Sequence, residues 1–211
     1  MLPFARLLRY GSVGTEVLLD IDFSTQNVGD TTIIDKTGHS IFSLASGTTA
    51  GVVEYNSVIG SNVMKFNNSR YITPMNSWLT LPGTSFEIQL VLNNNNAPVG
   101  EIFCTGDYNG LRVPGMNMAN SPSTTSYQMF MDSGSSYSTI YFGTVPNTGW
   151  DNVSYKVTSN GIYTNVNGVK QTHPVRAFGA GTNFSIGSSY TGGSPVYWNG
   201  YLKSLKIIRI T

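Results

Sequence analysis

The side chains able to do chemistry in this sequence are few and widely spaced. There are two imidazoles, His39 and His173, and one thiol, Cys104. Thr37-Gly38-His39 and Thr172-His173-Pro174 read as turns, and neither histidine has a cysteine or a second histidine at metal-ligand spacing, so no zinc site is expected. Cys104 ends the apolar run Glu101-Ile102-Phe103-Cys104. No cation or helix N-terminus stands near it to activate the thiol, and a buried small hydrophobe without an intrachain disulfide is the expectation. Asp20 and Asp22 fall on one face of an alternating strand, the placement two carboxylates need to act together. No Gly-x-Ser-x-Gly elbow and no glycine-rich phosphate loop leading into a helix is present. The segment Gly106-Asp107-Tyr108-Asn109-Gly110 offers Asp107 and Asn109 as hard oxygen donors. One carboxylate makes a weak calcium site, and an Asx turn accounts for the same residues. Tyr108, Tyr137, Tyr190 and Tyr197 read as loop aromatics. There they could stack on sugar faces while Asp107, Asn109 or Arg112 bond hydroxyls.

The elements that must carry these groups are strands. Of 211 residues, 40% are apolar and 11% charged, too apolar for a disordered chain and enough for a single buried core. Short runs with period-2 alternation or β-branched and aromatic enrichment recur between Gly, Asn, Ser and Pro clusters, and no helical periodicity of about ten residues appears. Strands are expected at 16–23, 32–34, 40–44, 52–55, 62–66, 70–72, 85–92, 100–104, 111–113, 127–131, 138–142, 151–158, 161–166, 183–186 and 200–210. Asn167-Gly168 between Val166 and Val169 predicts a tight hairpin, because both turn residues tolerate positive φ. Ser159-Asn160-Gly161 predicts a second turn of the same chemistry, and Asn93 to Asn96 a further turn or loop tip. Many short strands without a fixed repeat mean a sandwich or barrel.

The first fourteen residues differ from the rest. Leu2, Phe4, Leu7, Leu8 and Tyr10 are mixed with Arg6 and Arg9, and Gly11 and Gly14 close the segment. This reads as an arm over 1–14 ahead of a domain over 15–211: a frayed end or edge strand, or a docking segment whose apolar groups need a partner surface. With 12 basic and 11 acidic side chains the net charge is +1, and no basic stripe suggests nucleic acid. No run approaches the roughly 20 apolar residues of a membrane span. The start lacks a long apolar leader with a small-residue cleavage site, which predicts a chain that stays where it is made or joins a larger assembly.

The order of motifs resembles the concanavalin A-like lectin/glucanase superfamily, in its laminin-G-like branch. Val17-Leu18-Leu19-Asp20-Ile21-Asp22-Phe23 is similar to that family's first strand and Asp35-Lys36-Thr37-Gly38 to the turn after it. Met64-Lys65-Phe66-Asn67, Tyr71-Ile72, Ser85 to Leu90 and Ile102-Phe103 stand where its core strands follow. Trp150 to Val157, then Gly161 to Gly168, resembles its Trp-led strand and Tyr-x-x-x-Asn-Gly hairpin. Phe184-Ser185-Ile186-Gly187 and Trp198-Asn199-Gly200-Tyr201-Leu202 resemble its closing strands. The resemblance implies an all-β, concanavalin-like jelly-roll β-sandwich of two antiparallel sheets with an extended N-terminal arm. It reads Trp150, Tyr163 and Trp198 as core rings with a polar edge. Glucanases of the family carry Glu-x-Asp-x-x-Glu on one strand, whereas the matching strand here reads Glu87-Ile88-Gln89-Leu90-Val91-Leu92. The carboxyl pair that glycoside hydrolysis needs is missing, and Asp20 and Asp22, on the first strand, are expected to bond turns or a terminus. The branch is common in phage virion proteins and bacterial surface proteins. Two non-enzymatic readings follow: a virion structural protein, either a capsid decoration or a tail-associated subunit, held by its arm to other virion proteins or to further copies of itself; and a carbohydrate-binding adhesin for a host-surface glycan. No cofactor is expected beyond calcium at Asp107 and Asn109.

Overall fold

The strand pattern is written in alternation. From Ser85 to Asn93, Phe86, Ile88, Leu90 and Leu92 are buried and the residues between them half-buried, as in a strand with one face on a core. The structure, a computed structural model, describes residues 14–75, 79, 81–95, 100–105, 115–121, 126–144, 149–191 and 194–211. The arm, the loop holding Asp107, Tyr108, Asn109 and Arg112, and the strand expected at 111–113 lie outside them.

The strands in chain order begin with β1 (Thr15–Asp22), β2 (Ser43–Leu44), β3 (Val52–Asn56), β4 (Ser61–Lys65), β5 (Tyr71–Pro74) and β6 (Ser85–Asn93). Then come β7 (Gly100–Cys104), β8 (Gly115–Ser121), β9 (Ser126–Asp132), β10 (Tyr137–Phe142), β11 (Asp151–Thr158) and β12 (Gly161–Val166). The last are β13 (Val169–His173), β14 (Asn183–Ile186), β15 (Ser188–Thr191), β16 (Ser194–Tyr197) and β17 (Tyr201–Ile210). An eight-stranded sheet runs β13-β12-β11-β6-β17-β4-β3, with β1 also on β17; a seven-stranded sheet runs β10-β9-β8-β7-β14-β5-β2; β15 and β16 form a small ribbon. All pairings between these strands are antiparallel. The fold is therefore an all-β sandwich of the jelly-roll kind.

Between the sheets, Phe86, Ile88, Leu90 and Leu92 of β6 join one cluster with Phe103, Met129, Met131, Phe184 and Ile186 from the opposite layer. Rings tie it together: Phe103 stacks on Phe184 at 5.7 Å and Tyr127 on Phe142 at 5.9 Å. Cys104 is buried, as its apolar run predicts.

Several local expectations change. The segment from Thr32 to Leu44 yields isolated bridges and the two-residue β2 rather than two strands. The Asp35 carboxylate accepts from the backbone N–H groups of Asp20, Thr37 and Ser40, which folds the chain back before a ladder can lengthen. Asn167 and Gly168 take positive φ, 51° and 92°, as an Asn-Gly hairpin requires. The turn between β11 and β12 is instead centred on Ser159-Asn160, and Gly161 already belongs to β12 without positive φ. Strands β8, β13, β15 and β16 stand where no strand is expected. Trp198 is a core ring, fully buried, but Tyr163 is 39% exposed and Trp150 half-buried. Strand parity explains Tyr163: its neighbours Ile162 and Thr164 take the core side.

Bulges on β1 and β17 re-aim side chains. On β1 the register skips Leu18, and both Leu18 and Leu19 enter the core. On β17 it skips Lys203 between Leu202 and Ser204, and here the doubled side is the outer one.

Candidate functional site

The outer face of the eight-stranded sheet carries the candidate site. Because β1, β17, β6, β11, β12 and β13 run side by side, one register row crosses all six strands: Asp20, Lys206, Gln89, Ser154, Asn165 and Lys170. Every member is polar. A neighbouring row holds Asp22, Ser204, Val91 and Asn152. Over these rows lies an open groove of about 630 Å³, lined also by Glu87 and Lys203, within the roughly 300–1,000 Å³ usual for small-molecule sites.

Most charges in the groove are already paired. Lys206 holds Asp20 at 3.3 Å, and Lys36 holds Asp22 at 2.8 Å. Asp22 also accepts from the Ser24 N–H at 3.0 Å and the Ser24 hydroxyl at 2.6 Å. Burial pushes its pKa up, but the Lys36 and Ser24 bonds outweigh that and hold the carboxyl below its ordinary value. Asp22 thus does bond a turn, whereas Asp20 faces the groove through a lysine. Glu87 accepts from the Gln89 amide at 3.0 Å. It lies two strands and two residues from Asp20, roughly 12 Å across the sheet lattice, with Lys206 between.

Aromatic rings stand beyond both ends. Tyr163, two residues from Asn165 on the same face of β12, leaves its outer ring atoms 3.5 Å from where a Cβ on Gly161 would stand, so the ring reclines over the glycine. At the opposite end the Trp150 and Tyr201 rings are 6.4 Å apart, and the Lys65 ammonium is 5.8 Å from the Tyr201 ring. The Trp150 indole N–H has no hydrogen-bond partner among the described residues.

Of the sites expected from sequence, Tyr137 lies on β10, an edge of the seven-stranded sheet, while Tyr190 and Tyr197 lie on the β15–β16 ribbon beside β7. Three inter-strand steps, about 14 Å, separate β10 from β7. The backbone thus sets Tyr137 on a different part of the seven-stranded layer from Tyr190 and Tyr197, and Tyr197 is not among the residues that line the groove. His173 ends β13 and pairs its Nε2 with the Thr164 hydroxyl at 3.0 Å, and burial lowers its pKa. Among the described residues no group of three or more His, Cys, Asp or Glu is placed to hold a metal ion, and no helix is long and apolar enough to cross a membrane.

No protein-family model matches the chain, and no curated protein matches it by sequence. Solved structures do. Domain 4 of AbnA, a GH43 extracellular arabinanase from Geobacillus stearothermophilus, in complex with arabinotriose, is similar at a TM-score of 0.67 and 14% identity, over 93% of this chain and 95% of that one. The botulinum neurotoxin serotype D binding domain is similar at 0.62 and 11%, over 90% of this chain and 47% of that one. A botulinum neurotoxin type C structure, described by cell entry dependent on two ganglioside molecules, is similar at 0.63 and 13%, again over 90% and 47%. The chain therefore spans about half the length of the neurotoxin domains it matches. At these identities the likeness shows a shared β-sandwich fold.

Proposed function

We propose that this chain is a non-enzymatic, lectin-like display domain that takes an oligosaccharide in the groove on its eight-stranded sheet. The observation that carries this reading is the polar register row under an open groove, flanked by Tyr163 at one end and Trp150 with Tyr201 at the other. Amides and hydroxyls fixed on rigid strands suit sugar hydroxyls, and ring faces suit the apolar faces of sugars. The similar structures whose descriptions name arabinotriose or gangliosides support the same reading. Hydrolysis would need a carboxyl kept protonated near neutral pH. Asp22 is shifted the other way, and the Asp20 carboxylate is occupied by Lys206.

A glycan array tests this. The protein is expected to bind oligosaccharides, and the double replacement Gln89→Ala with Asn165→Ala is expected to weaken binding about tenfold or more, since each lost hydrogen bond contributes about 0.5–1.5 kcal/mol. Absence of binding to every member would overturn the reading.

The arm is the proposed anchor. Gly14 accepts from the Thr211 backbone N–H at 2.8 Å, at the end of β1 away from Asp22, so a tether there enters at the strand end opposite the Asp22 side of the groove. With the resemblance to the laminin-G-like branch, which is common in phage virion proteins and bacterial surface proteins, this supports display on a virion as a capsid decoration or tail-associated subunit, with a host-surface glycan as the partner. Removing residues before Thr15 is expected to leave a folded protein that no longer joins its particle. Undiminished assembly would refute the anchor.

A further inference from the structure

Lys170 ends the register row outside the groove wall, and of the two ammonium groups that do line the groove, Lys203 and Lys206, one has no anionic partner among the described residues. Lys206 is spent on Asp20 and Lys36 on Asp22, whereas Lys203 makes no ion pair or hydrogen bond with the described residues. Its placement is a product of the β17 bulge. Leu202 pairs with Leu92 and Ser204 with Val91, so Lys203 is the inserted residue. Lys203 and Ser204 both line the groove although they are adjacent in sequence. Regular alternation would have turned one of them toward the core. The remaining carboxylate without a cation, Glu87, stands four residues along β6 from Val91, roughly 14 Å from the Lys203 end, too far to neutralise it.

We infer that the ligand of this groove is an acidic oligosaccharide, one whose sugar carries a carboxylate, and that Lys203 is the residue that pairs with that carboxylate. The inference rests on the groove being an oligosaccharide site. The paired aspartates present no net charge to the ligand. Glu87 and the Gln89–Ser154–Asn165 row meet its hydroxyls, while Lys203 fixes its acidic ring next to Ser204 and Asn152. A charge-assisted bond in a partly shielded groove is stronger than a neutral one and is selective between a sugar acid and its ester.

The test is an array of sialylated and uronate oligosaccharides printed beside neutral counterparts of the same backbone, such as sialyllactose beside lactose and trigalacturonate beside its methyl ester. The unaltered protein is expected to prefer the acidic members, with a signal that falls as salt rises. Lys203→Gln is expected to lose about tenfold or more on the acidic members alone, and Lys203→Arg to restore most of it. The Lys203 side chain packs no core, so thermal melts of both variants should match the parent. Equal binding to neutral members, or an acidic signal unchanged by Lys203→Gln, would overturn the inference. In either outcome, loss of that binding in the Gln89→Ala, Asn165→Ala variant would show the groove reading still standing. Silence across the whole array would overturn both.

Discussion

Trp198→Ala is expected to lower the unfolding free energy by about 3–5 kcal/mol, a large part of the roughly 5–15 kcal/mol that holds a domain together. Trp198 is fully buried and lies 5.4 Å from the Phe66 ring. Two glycines seat it: a Cβ on Gly200 would stand 2.3 Å from the indole, and one on Gly100 would stand 2.6 Å from the Trp198 Cα. The seat cannot close on alanine without moving backbone, so a cavity remains. The indole N–H also donates to the Asn94 Oδ1 at 3.0 Å, and alanine leaves that buried acceptor unpaired. Trp198→Phe keeps most of the ring contact and is expected to cost about 1–3 kcal/mol, the penalty for the orphaned amide oxygen. Urea denaturation of the two variants separates packing from hydrogen bonding. Equal losses would show that the cavity is not the main cost.

The second large effect lies further along the same buried chain of bonds. The Asn94 amide donates to the Tyr127 hydroxyl at 3.0 Å, and that hydroxyl donates to the Asp151 Oδ2 at 2.5 Å. The Asn167 amide donates to the other carboxylate oxygen at 2.6 Å. Burial raises the Asp151 pKa, and the Tyr127 and Asn167 bonds only partly offset the rise. Burial, with the nearby Asp151 charge, pushes the Tyr127 phenol upward, so it stays protonated and donating. A carboxyl whose folded pKa lies above its unfolded value holds its proton more tightly in the folded state. Its contribution is therefore present below the unfolded pKa and is lost as pH rises through the folded one. Tyr127→Phe removes a bond to the charged form and raises the folded pKa further. It is expected to cost about 2–3 kcal/mol at pH 7 and less near pH 4, closer to the range in which the raised Asp151 carboxyl takes up its proton. Denaturation at the two pH values reads this directly, and a cost independent of pH would mean that Asp151 keeps the same protonation state at both.

The sequence announces features that depend on neighbours along the chain. The alternation of Phe86, Ile88, Leu90 and Leu92 and the Asn167-Gly168 turn are local signals, and both appear in the fold. Strands with weak local signals were illegible. Gly115–Ser121 carries no β-branched residue, and Val169–His173 is an edge strand with little buried surface to impose a pattern. The groove is harder still. Its row draws Asp20, Gln89, Ser154 and Lys206 from strands far apart in sequence, brought together by register, and register is not written in any one strand. Gln89 is noticeable in sequence only as a carboxylate that is missing. Lys203 reaches the groove through a one-residue bulge that a strictly alternating reading of Tyr201 to Ile210 cannot foresee. Tyr137, Tyr190 and Tyr197 read as loop residues from their polar neighbours, which say nothing of the strands β10, β15 and β16 that the backbone forms there. Asn94 looked like part of a loop tip, yet it is 2% exposed and joins Trp198 to Tyr127.

The contact between Gly14 and Thr211 sets how the molecule would carry load. If the arm is tethered and a ligand is held in the groove, tension enters β1 at Gly14 and runs along the strand toward Asp22. The seven register pairs joining β1 to β17 are then pulled lengthwise and share the force, instead of parting one after another from an end. β17 is braced on its other edge by β6, which carries groove residues of its own. The line of pull thus passes from tether to ligand through three adjacent strands. Sliding them apart requires many backbone hydrogen bonds to break together, the shear geometry suited to a domain that must hold on while being dragged.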